Sequence, residues 1–78
     1  MMNYQKLIVY LQNSIKELRK AEDLLGEFLE NVSTENEFYD EYNFERQKIR
    51  EIEEVIDKIE DIIYELKWEN EKEKNLFN

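Results

Sequence analysis

Apolar residues recur at alternating steps of three and four along two stretches of the chain. From Tyr4 the steps reach Leu7, Leu11, Ser14, Leu18, Ala21, Leu25, Phe28 and Val32. This spacing lays one stripe along one side of a helix. A second run passes through Ile49, Ile52, Ile56, Ile59, Ile63 and Leu66. No useful length of chain shows the two-residue alternation of a strand. The fold class expected is all-α: an antiparallel helical hairpin of two long, coiled-coil-like helices that dimerises into a four-helix bundle.

The boundaries follow from caps and breakers, and the chain reads as a single helical-hairpin domain over residues 1–78. The first helix is expected from about residue 3 to about 31, with Asn3 as N-cap and only Gly26 to weaken it. The second is expected from about residue 44 to about 74, and Ile, a stiff side chain, fills most of its seam. Beyond Leu66 the next two seam positions are Asn70 and Glu73. The helix is therefore expected to fray there, leaving Leu76 and Phe77 loose or docked on a neighbour. Between the helices, residues 33–45 hold five acids, four aromatics and no base. Thr34 followed by Glu37 fits a capping box, which favours a short helix from about residue 35. The alternative is a loop to about Tyr42, with Asn43 capping the second helix.

The stripes are wider than a two-helix seam requires. With Tyr4 at heptad position a, the e positions add Ile8, Ile15 and Leu29, and the second helix carries Val55 and Ile62 beside its seam. Such width needs more than one partner helix. Ser14 and Ala21 are the small residues at d, where short side chains allow close helix approach.

Composition reinforces the expectation of self-association. At 78 residues, with no Cys and no His, the chain has neither a disulfide nor a structural zinc to supplement a small core. No apolar run is long enough to span a bilayer, and no leader pattern opens the chain, so a soluble cytoplasmic protein is expected, in the host cytoplasm if viral. The net charge of −9 argues against direct contact with nucleic acid or an anionic membrane and for a basic partner. Ile, Asn and Lys occur eight times each, Ala and Gly once, Pro never, a bias expected of an AT-rich genome or mobile element.

Catalytic chemistry finds no support. Without His there is no Glu-x-x-His pair for a di-iron bundle and no base for Ser14 or Ser33. The acidic segment lacks the Gly of a calcium loop, and no Gly-rich phosphate loop exists. The protein is read as a non-enzyme without cofactor or metal.

Binding is the remaining class. Glu53, Asp57 and Asp61 repeat at four-residue steps, a negative ridge of the kind that imitates a nucleic-acid backbone. A solvated face, eased by a Glu54–Lys58 pair and by neighbouring Arg46, Lys48 and Arg50, is the plainer alternative. Glu35, Glu37, Asp40 and Glu41 add charge in the connecting segment, beside Tyr39 and Phe44. Tyr64 and Trp68, four apart and off the Ile stripe, have the composition of a binding hot spot, or else pack within the hairpin or a dimer. In size, acidity and AT-rich composition the chain resembles anti-CRISPR and DNA-mimic proteins, and no sequence motif carries that likeness. The function expected is that of a small acidic inhibitor from a phage or mobile element that occupies a basic, nucleic-acid-handling enzyme. The rivals are a homo-oligomeric assembly module and an antitoxin-like regulatory partner.

Overall fold

The computed structural model describes residues 2–32 and 43–76, with side chains as far as residue 31 in the first helix and residue 72 in the second. Two helices fill these ranges: α1, Tyr4–Val32, and α2, Asn43–Leu76. The N-terminus of α1 is capped as expected, Asn3 Oδ1 accepting the Lys6 backbone N–H at 3.0 Å. The connecting segment, with the Thr34–Glu37 capping box and the turn, lies outside the described residues. α2 runs to Leu76, two residues past the approximate end that the pattern suggests. Glu, Lys and Asn in its last turns hold a helix adequately even where the apolar pattern has ended.

The helices pack side by side as a hairpin. Glu22 meets Glu53, while Gln12 and Ile15 share a surface crevice with Glu60 and Ile63. In these pairs the residue numbers add to about 75, the signature of an antiparallel register. The result is a rod of 63 × 15 × 14 Å with a radius of gyration of 18.2 Å, against about 12 Å for a compact domain of this length. A rod two helices thick has little interior. The buried side chains among the described residues are Ile8, Leu29, Ile56 and Ile63.

On α2 the seam is the expected one. Ile56 and Ile63 are buried, and Ile49, Ile52, Ile59, Leu66 and then Asn70 are half-buried. On α1 the expectation needs correction. Tyr4, Leu11, Leu18 and Leu25 face α2, flanked by Ile8, Ile15, Glu22 and Leu29 on one side and, in the first half of the helix, by the half-buried Leu7 and Ser14 on the other. Ile8 and Leu29 are buried, whereas Ala21 and Phe28 are exposed. The two candidate rows flank the same leucines, and turning α1 toward the first row brings in two Ile and a Leu with Glu22, where the second row offers one Leu, one Phe and two small residues. Ala21, exposed, therefore does not mediate close approach of α1 and α2. Ser14, half-buried, donates its Oγ hydrogen to the Leu11 carbonyl of its own helix at 2.6 Å, a local bond such hydroxyls commonly make.

Candidate functional site

Helical geometry decides which of the candidate side chains stand together. Four residues turn an α-helix through about 400°, so a four-step row drifts about 40° per step around the axis. Glu53, Asp57 and Asp61 thus do not form a straight column. Glu53 lies at the edge of the seam against Glu22, whereas Asp57 and Asp61 are exposed farther round α2. Steps of four, three and four instead bring Asp57, Asp61, Tyr64 and Trp68 onto one outer ridge of α2, whose Tyr64 edge also borders the crevice with Gln12 and Ile15 of α1. Tyr64 is 73% and Trp68 65% exposed, and the two rings, with Glu65 and Glu69, border one shallow surface depression. Trp68 does not pack against α1.

Phe44 is exposed but belongs elsewhere. It lies at the start of α2, about 30 Å along the axis from Tyr64. Lys48 Nζ sits 4.9 Å from its ring centroid and 2.6 Å from Glu51 Oε2. Glu35, Glu37, Tyr39, Asp40 and Glu41 lie outside the described residues. The sequence-derived set therefore divides into a ridge (Asp57, Asp61, Tyr64, Trp68), a seam-edge carboxylate (Glu53) and a separate aromatic (Phe44).

The ion pairs differ from expectation. Among the described residues they are Lys20–Glu17 at 3.2 Å and Lys48–Glu51 at 2.6 Å, both at i,i+3, and Glu54 and Lys58 form none. Glu54 and Asp61 thus stay solvated, and the ridge keeps its negative sign. An exposed pair would contribute little in any case, since water screens it and two long side chains must be ordered.

Glu22 is the feature that residue patterns did not single out. It occupies a seam position between Leu18 and Leu25, where every other α1 position in its row is Ile or Leu. Partial burial and the hydrogen bond and repulsion from the Glu53 carboxyl push the Glu22 carboxyl above its ordinary value, with Arg19 opposing. The signal was available in the sequence, because Glu22 interrupts the row Ile8, Ile15, Leu29 at the missing heptad step.

The hairpin's two flanks differ in chemistry. On one, Gln5, Gln12 and Lys67 line a crevice with Val9 and Asn70, and Arg19, Glu53 and Glu60 continue it as a polar strip. On the other lie the rows displaced from the seam, where Phe28 is 45%, Val55 46% and Ile62 45% exposed.

Among the described residues no group of acidic side chains is placed to hold a metal ion, and no helix is long and apolar enough to cross a membrane. Compared with known proteins, the chain matches no family model, no curated protein and no solved structure.

Proposed function

We propose that this is a protein-binding protein that works by occupying a partner, and that the outer ridge of α2 is its docking surface. The observation that supports the reading is the exposure of Tyr64 and Trp68 on the same ridge as Asp57 and Asp61. Two large rings held in water on a rigid helix cost little entropy to bury, which is how interface anchors act. Carboxylates beside them favour a basic partner, and the chain's net charge of −9 steers such a partner at long range. A basic, nucleic-acid-handling enzyme fits both, and occupation of its groove would make the protein an inhibitor of the anti-CRISPR or nucleic-acid-mimic kind. An assembly module is the second reading, favoured by the exposed apolar flank around Val55 and Ile62.

Capture of the partner from the source cell, followed by rate measurements at two ionic strengths, tests the proposal. Joint replacement of Asp57 and Asp61 by Asn is expected to slow association severalfold and flatten its salt dependence, because long-range steering sets the on-rate. Trp68→Ala is expected to speed dissociation by about tenfold or more, the loss typical of an aromatic anchor. Unchanged rates in both variants would overturn the ridge as the docking surface and leave the assembly module in front.

A further inference from the structure

We propose that the apolar flank of the hairpin is the contact surface for a second copy of this chain, with α1 of each copy lying antiparallel along α2 of the other to close a four-helix bundle. The inference does not depend on the ridge of Asp57, Asp61, Tyr64 and Trp68, which lies on a different side of α2.

The flank is a direct consequence of how the seam is chosen. Turning α1 so that Ile8, Ile15 and Leu29 face α2 leaves the Leu7–Ser14–Ala21 row beside the seam. In an antiparallel pair, positions on one side of one seam adjoin the equivalent positions of the other helix. Gln12 shares its crevice with Glu60 and Lys67 on the polar side, so Ala21, Val55 and Ile62 fall together on the opposite side, with Leu24 about 60° farther round the back of α1. All four are exposed. A contiguous apolar strip on a rod with so thin an interior has the makings of an interface.

Charge selects the occupant. Although the whole chain carries −9, this flank is nearly balanced, with Lys48 already paired to Glu51 at 2.6 Å. Glu17 is likewise paired to Lys20 at 3.2 Å, and the remaining charges are Lys6, Lys58 and Lys72 against Glu54, Glu65 and Glu69. A basic partner finds no negative excess to grip here, and a second copy meets little repulsion. A two-fold axis parallel to the helices preserves their levels, so α1 meets the partner's α2 in the register the hairpin itself uses. That register sets Ser14 against Ile62 of the partner subunit and Ala21 against Val55 of the partner subunit, small residues against large ones. Glu17, which the single hairpin pairs with Lys20 at 3.2 Å, then faces Lys58 of the partner subunit.

Area is consistent with a stable pair. The 29 residues of α1 give about 44 Å of shared length, and with a rod width of 15 Å each copy covers on the order of 700 Å². Specific interfaces bury about 800 Å² per partner.

Sedimentation equilibrium of the full chain, with helicity checked by circular dichroism, tests the proposal. The wild type is expected to be a dimer at micromolar concentration. Val55→Glu and Ile62→Glu, at positions the single hairpin leaves half in water, are expected to keep the helices and weaken dimerisation by about a hundredfold or more, because each drives a carboxylate into the buried strip. Glu17→Lys alone is expected to weaken the dimer severalfold, and combining it with Lys58→Glu to restore it. A wild-type monomer at about 100 µM, a concentration at which even modest affinity would show, would overturn the proposal. So would a dimer indifferent to both carboxylates, or a failure of the charge exchange to restore it.

Discussion

Glu22 shows how one side chain can weigh on a small fold. A seam glutamate beside a second carboxyl is protonated more readily in the folded chain than in the unfolded one, since its value is raised by partial burial and by Glu53. The folded state therefore binds more protons across the window between the ordinary carboxylate value and the raised one. By linkage, this group's contribution to stability is fully present below the ordinary value and is lost as pH rises through the raised value. Thermal melts of the wild type should show that loss between acid and neutral pH. Glu22→Gln should flatten this part of the profile, and Glu22→Leu should add about 1 kcal/mol at neutral pH by completing the apolar row. That gain corresponds to roughly 4–8 °C in a domain of this size. A melting temperature for Glu22→Leu below the wild-type value at pH 7 would show that the position does not lie in the seam.

At the scale of the element, α1 carries a weakness that its packing does not require. Gly26 is half-buried in mid-helix, and a Cβ built there meets nothing within 4 Å. No close approach explains it. Gly26→Ala should stabilise the protein by about 0.5–1 kcal/mol, through the lower backbone entropy of the unfolded chain and better helix propensity. Denaturant titration reads this as a higher midpoint at unchanged slope, and a lower midpoint would mean that the glycine is needed for contact. α2 is the better specified helix because Ile recurs at nearly every seam position, so only one rotation about its axis buries them all. α1 offers two rotations around the same leucines, one through Ile8, Ile15 and Leu29 and the other through Leu7, Ser14, Ala21 and Phe28.

For the whole molecule, the hairpin separates two kinds of surface. The acidic and aromatic ridge lies on the outside of α2, whereas the nearly neutral apolar strip lies on one flank of the rod. A dimer formed through the strip would carry two ridges and could engage two partner sites at once, raising apparent affinity without new contacts. The two associations should respond differently to salt. Raising ionic strength from about 0.05 to 0.5 M shortens the Debye length severalfold. It should weaken partner binding markedly and leave dimerisation unchanged within about twofold. Equal salt sensitivity of the two would mean that the acidic ridge takes part in both.

The sequence by itself determined the helical class, the antiparallel hairpin, the cap at Asn3 and the seam of α2, because these depend on periodicity and local bonding that every residue carries with it. It also determined that Asp57, Asp61, Tyr64 and Trp68 share a ridge, since steps of three and four fix angle around a helix whatever the helix packs on. Only the tertiary structure decided which side of α1 meets α2. Two apolar rows competed for that seam, and the choice depended on the burial each gives against the other helix. The same choice exposed Ala21, placed Glu22 against Glu53, and turned the surplus width of the stripe into one apolar flank. Periodicity along a chain assigns residues to faces, but it does not say which face finds a neighbour, because that is settled by area buried between elements far apart in sequence.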